Sequence, residues 1–246
     1  MTDLFLFQLR RVGRNRQFLF FTVALPALFT VFFAKVFGQS ADGGYDDYAA
    51  ATMVSMMAYG AMGAALGATI RISFDRASGW LRQLRITPVP QSRVFAVDVA
   101  VGALLTLPSL VTVALVGRFV NDVQLGFGTW LALVGVLWAG AITFVALGLL
   151  LGLALEERAA GGAMGFVGVV LAALGGLWAP VEVFPDSLRT VAHAMPSYWY
   201  AQLGRDVAAG AGPTAQAVLV LAGFTAVFAA LAALVAVRRP LYAVAG

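Results

Sequence analysis

Six apolar runs, each about the length that crosses a bilayer, constrain this chain more than any other feature. They fall at about 17–37, 49–70, 94–117, 129–154, 163–180 and 214–237 of the 246 residues. A hydrocarbon core of roughly 30 Å takes about 20 helical residues. A helix also satisfies its own backbone hydrogen bonds, which lipid cannot do. With 61% hydrophobic and only 11% charged residues, the chain reads as an all-α integral membrane protein, a single transmembrane domain over 1–246. No polar stretch is long enough for a soluble catalytic domain. The run from Phe18 to Phe37 outlasts a signal-peptide core and lacks a small-x-small cleavage site, so it is expected to be the first span.

Arginine placement orients the spans. Alternate connecting segments hold twelve basic residues, from Arg10 and Arg11 through Arg71–Arg93 and Arg158 to Arg238 and Arg239. The opposite set holds four: Lys35, Arg118, Arg189 and Arg205. By the positive-inside rule both termini face the cytoplasm. The N-terminal LFLFQLRRVGRNRQ alternates apolar residues with arginines, which suits an interfacial helix ahead of the first span.

Chemistry-bearing groups are few. There is no cysteine, hence no thiolate metal site. The lone histidine, His193, has no partner of a metal or hydrolase type. No G-x-x-x-x-G-K-[ST] phosphate loop occurs, and the one lysine, Lys35, ends the first span. The chain is therefore not expected to be an enzyme, to hold a metal or cofactor, or to bind nucleic acid. Asp98 is the one acid set inside a span. It is either a functional intramembrane acid or a structural partner of Arg93 or Arg82.

Two spans carry unusual patterns. The second combines Met53, Met56, Met57, Tyr59 and Met62 with small residues at Gly60, Ala64, Ala68 and at Gly63, Gly67. The fifth has Gly161, Gly165 and Gly168 around Met164. Small-xxx-small spacing lets helices approach closely, and methionines form an adaptable apolar surface. These residues suit either a substrate-facing seam between two protomers or ordinary bundle packing. Between the fifth and sixth runs, Pro180, Pro185 and Pro196 cut the chain into pieces too short to span. Two short amphipathic helices, re-entrant from the outer side, are expected there. Tyr198, Trp199 and Tyr200 would sit at that interface.

The insert RISFDRASGWLRQLRITPVPQSR joins the second and third spans. Phe74, Ala77, Leu81 and Leu84 share one helical face, with Trp80 beside it, and Asp75, Arg76, Arg82 and Arg85 take the other sides. Pro88 and Pro90 stop the helix. It is either a solvated loop helix or an element that plugs into a partner's groove.

The string Asp75-Arg76-x-x-Gly79-x-Leu81-x-x-Leu84-x-x-Thr87-Pro88 resembles the membrane subunit of an ABC-2 type transporter. So do Phe184-Pro185 and Met195-Pro196-x-x-Trp199 before the last span, and the six-span plan with its basic N-terminal helix. The resemblance covers essentially the whole chain. It departs from the family at Ala77, Trp80 and Arg82, where acidic, threonine and acidic residues are usual. The resemblance implies a permease that dimerises, most simply with an identical chain, and docks a coupling helix on each of two separate ATPase subunits. Those subunits would bind the ATP and magnesium. It further implies ATP-driven export across a bacterial plasma membrane. Phe74, Asp75, Arg76, Gly79, Trp80, Leu81, Leu84, Arg85 and Pro88 would contact the ATPase. Met53, Met56, Met57, Tyr59, Met62 and Met164 would line the substrate path. Phe184, Pro185, Met195, Pro196 and Trp199 would shape an outer gate. Short outer loops favour a drug, antibiotic or lipid-like cargo over a polysaccharide. A membrane-embedded scaffold that holds a cytosolic partner is the rival from another class.

Overall fold

The computed structural model describes residues 10–11, 13–40, 44–78 and 91–238. The interfacial-helix segment up to residue 9 lies outside the described residues. So do Gly79, Trp80, Leu81, Arg82, Leu84, Arg85 and Pro88. Among the described residues there is no strand, and six helices are long and apolar enough to cross a membrane.

In chain order these are α1 (Arg16–Phe37), α2 (Tyr45–Thr69) with its short continuation α3 (Ile72–Ala77), and α4 (Gln91–Val120). The two-part helix α5 (Phe127–Gly140) and α6 (Ile142–Ala154) follows, then α7 (Glu157–Leu174). Short α8 (Asp186–His193) and α9 (Pro196–Ala208) precede α10 (Ala215–Arg238). The end of the bundle carrying Arg11, Arg76 and Arg158 is called the basic end below, and the opposite one the far end.

The helix α2 forms the centre of the bundle and packs on α1, α4, α6 and α9. Its composition explains the place. Alanines, glycines and methionines let four neighbours approach, and Ala61, Ala64 and Ala65 are wholly buried. The tightest crossings are at glycines. A Cβ on Gly148 would lie 2.9 Å from the Leu66 carbonyl oxygen, and one on Gly152 would lie 3.0 Å from the Ile70 Cα. A Cβ on Gly60 would lie 2.9 Å from the Thr22 carbonyl oxygen and would collide with the Ser109 hydroxyl.

A single turn at Ala141, which keeps helical dihedrals (φ −62, ψ −18), divides the fourth run into α5 and α6. The Leu137 carbonyl beside the turn accepts the Ala141 N–H at 3.0 Å and the Tyr200 hydroxyl at 2.7 Å. The fifth helix starts and stops earlier than the expected 163–180. Its end is a glycine cap: Gly175 N–H donates to the Leu171 carbonyl at 3.0 Å and Leu177 N–H to Ala172 at 2.9 Å. Gly176 adopts φ +71, and a Cβ there would collide with Val181. Polar Glu157 and Arg158 fill its first turn instead of a preceding loop.

Most exposed helices are strongly apolar, as lipid contact requires, and α10 is both the most exposed and the most apolar. The helix α7 breaks this relation. It is nearly as exposed as α10, yet no more apolar than the buried α2. Gly161, Gly165 and Gly168 have no atom within 4 Å of where a Cβ would stand.

Candidate functional site

At the basic end, α3 is held from two directions. Asp75 is 5% exposed and accepts the Arg11 guanidinium at 2.6 Å. Arg76 donates to the carbonyls of Leu153 at 2.9 Å and Leu155 at 2.6 Å. Those carbonyls end α6, where no further helical N–H can reach them, and a cation there also complements the helix dipole. Asp75 and Arg76 thus face inward and fasten the root of the insert. Phe74, half-buried, turns to a groove between helices.

Asp98 is half-buried on α4, and the charges that act on it belong to Asp75, Arg71 and Arg11. Of the two partners weighed for a structural role, Arg93 is exposed and forms no ion pair with Asp98, and no ion pair to Asp98 exists among the described residues. Arg82 lies outside them.

One face of α2 links two cavities. Thr52, Ser55, Met56, Tyr59, Met62, Gly63 and Leu66 recur at helical spacing and form a single stripe. Toward the basic end, Tyr59, Met62, Gly63 and Leu66 floor a groove of about 740 Å³. Its walls are Phe18, Phe21, Thr22 and Leu25 of α1 and Gly161, Met164, Gly165 and Gly168 of α7, with Phe74 at its edge. Toward the far end, Thr52, Ser55 and Met56 border a second cavity of about 230 Å³, closed by Trp178, Glu182 and Arg205. The Tyr59 and Trp178 rings meet edge to face with centroids 5.6 Å apart. Tyr59 belongs to the groove and Trp178 to the far cavity, so this aromatic pair is the partition between them.

The methionines divide accordingly. Met56 borders the far cavity, while Met62 and Met164 border the groove. Met53 and Met57 are fully buried and border neither of these two spaces. The Met53 thioether fills the place a side chain at Gly117 would take, so it serves the contact of α2 with α4.

At the far end the prolines act as expected of helix starts. Pro185 precedes α8, and Pro196 occupies the first turn of α9 after Met195. Trp199 donates its indole N–H to the His193 carbonyl at 2.7 Å, fixing α9 against α8. Phe184 is half-buried, with its carbonyl accepting Arg189 at 3.3 Å. Leu188 and Val191 point outward, whereas Ala192 is buried. Tyr200 corrects the aromatic-belt expectation. It is wholly buried against Phe144 at 5.1 Å, because the Leu137 carbonyl beside the turn gives its hydroxyl a partner inside the bundle. Burial pushes its phenol well above the usual range.

Ser55 and Trp178 were not noticed from sequence, and Arg205 was counted there only for orientation. The Arg205 guanidinium reaches Ser55 Oγ at 3.4 Å and Gln202 Oε1 at 3.2 Å, and sits over the Tyr198 ring at 5.8 Å. Desolvation lowers its pKa, opposed by the charge of Glu182. The available signal was one arginine in an otherwise near-neutral, aromatic-rich helix, PSYWYAQLGRDVA.

Six spans, one of them a central, small-residue helix, define a multi-pass membrane protein with an internal, cavity-lined face. Residues 35–234 match the model of the ABC-2 family transporter protein. YvfS of Bacillus subtilis (strain 168), assigned as a transport permease, is 28% identical over 224 residues, covering 90% of each chain. The chain belongs to the ABC-2 transporter family. It is a transport permease, and its family implies an ABC ATPase partner.

Proposed function

We propose that this permease is the membrane half of an ATP-driven exporter for an amphipathic or lipid-like cargo, with the stripe on α2 as its path. The observation that carries this reading is the single helical face joining the basic-end groove to the far-end cavity across the Tyr59–Trp178 pair. An apolar groove bordered by methionines accepts varied hydrophobic tails. Cargo enters the groove between α1 and α7, and parting of the aromatic pair passes it to the far end.

The under-apolar, open face of α7 is the proposed seam with a second copy of the chain. Two ATPase subunits dock on the two inserts from the cytoplasmic side of a bacterial plasma membrane. The docking contacts are assigned to Gly79, Trp80, Leu81, Leu84, Arg85 and Pro88. Asp75 and Arg76 anchor the insert, and Phe74 transmits its movement to the groove. ATP-driven closure of the ATPases then pushes on α3. The far-end residues Phe184, Pro185, Met195, Pro196 and Trp199 form the frame of the outer exit.

The test is reconstitution with the ATPase in sealed vesicles. Wild type is expected to move a fluorescent amphiphile only with ATP. Leu81→Asp with Leu84→Asp is expected to abolish both ATPase association and transport. A chain that binds the ATPase through the insert but moves no amphiphile would favour the scaffold reading.

A further inference from the structure

We propose that the far-end cavity is a receptor for the monoanionic headgroup of an amphiphile, with Arg205 as its anchoring cation. The inference rests on the path assigned above for what happens to the amphiphile next. The binding itself stands on the geometry of the cavity.

A guanidinium carries five N–H donors and no acceptor. Arg205 spends two of its nitrogens on contacts of 3.2 and 3.4 Å to neutral side chains, one at the long limit of the useful range and one beyond it. No carboxylate forms an ion pair with it among the described residues. Its sequence neighbour Asp206 is engaged elsewhere, accepting Gln202 Nε2 at 2.7 Å and the Thr214 hydroxyl at 2.8 Å. A second unpartnered donor lies behind the same wall: the Trp178 indole N–H is buried below the cavity surface, so it reaches a bound oxygen only if the ring turns. Arg205 is half-buried, and a partly desolvated guanidinium gains from an anionic partner. An oxyanion in the cavity would supply an acceptor to the Arg205 guanidinium. Arginine is the residue that best matches phosphate or carboxylate oxygens in a partly dry site.

The rest of the wall argues for an amphiphile. Met56, Ala51, Leu177 and Pro180 give methylene groups an apolar surface. At about 230 Å³ the cavity exceeds by several-fold the roughly 30 Å³ of a water molecule. Glu182 is exposed and places a negative charge on the lining. That charge disfavours a free dianion and tolerates a singly charged headgroup on an apolar chain.

The test uses the full chain in a non-ionic detergent, titrated calorimetrically with dihexanoyl phosphatidylglycerol, uncharged dihexanoylglycerol and inorganic phosphate. Wild type is expected to prefer the phosphatidylglycerol over the uncharged lipid by roughly tenfold or more. Arg205→Gln is expected to erase that preference, and Arg205→Lys to keep part of it. Trp178→Phe and Ser55→Ala, which disturb the fold least, are each expected to weaken binding a few-fold. A preference that survives Arg205→Gln overturns the proposal. Unchanged affinity in both mild variants does the same if Arg205→Gln fails to fold. Inorganic phosphate competing as well as the lipid would mark an ion site and overturn the amphiphile. Arg205-dependent binding without ATP-driven transport keeps the receptor and removes the export reading. Transport without such binding does the reverse.

Discussion

Asp75 and Arg76 illustrate how much one side chain's direction can decide. Their sequence pattern fits a charged face offered to a partner, yet both are spent inside the protomer. The reason is not local. Asp75 is matched by Arg11, 64 residues away, and Arg76 by carbonyls 77 and 79 residues away. Helical periodicity carries no information on such partners. Asp75→Asn is expected to cost roughly 1–3 kcal/mol, since one partner is buried and the other over a third exposed. Thermal unfolding in detergent measures the loss, and faster trypsin cleavage at Arg14 or Arg16 reports the released segment. Tyr200→Phe removes a buried hydroxyl whose acceptor keeps the Ala141 N–H. The expected loss is therefore only about 1 kcal/mol. A loss several times larger in a calorimetric melt would mean that Tyr200 also fixes the turn at Ala141 between α5 and α6.

At the scale of elements, glycine spacing is ambiguous until the neighbours are known. Gly148 approaches the α2 backbone as closely as the α2 residue Gly60 approaches α1, although the sequence drew attention to Gly60 and not to Gly148. Gly161, Gly165 and Gly168 have the same small-residue character, but a Cβ at each would meet open space. Gly148→Val is expected to destabilise the fold by about 1–3 kcal/mol, because the clash is with the Leu66 backbone, which cannot rotate away. Gly165→Val should leave the unfolding temperature of the isolated chain unchanged. On the proposed seam it should lower the cross-linked dimer fraction in membranes, and an unchanged dimer fraction there moves the seam off α7. The number and order of the spans were legible because lipid demands long apolar runs. The end of α7 was less so, since the Gly175–Gly176 cap follows an apolar stretch that continues past it. The turn in the fourth run was invisible, because nothing in FGTWLALVGVLWAGAITF lowers its hydropathy.

For the whole molecule, the candidate site emerges only from assembly. Tyr59, Met62 and Met164 were visible as a methionine-rich pattern and do border a groove. Met53 and Met57 share that pattern and fill the core, because a residue type says nothing about which side of a central helix stays open. Trp178 and Arg205 lie over 100 residues beyond α2 and enter the site only through folding. The central claim is that the Thr52–Ser55–Tyr59–Met62 face is the path. The chain has no cysteine, so the most direct measurement is labelling of single cysteines by a membrane-impermeant maleimide applied from each side, with and without trapped ATP. Thr52→Cys is expected to react from the far side and Gly63→Cys from the basic side, with reactivity changing on ATP binding. Met53→Cys and Met57→Cys should remain unlabelled throughout. Equal protection of all four positions, or reactivity indifferent to ATP, would contradict a path along α2.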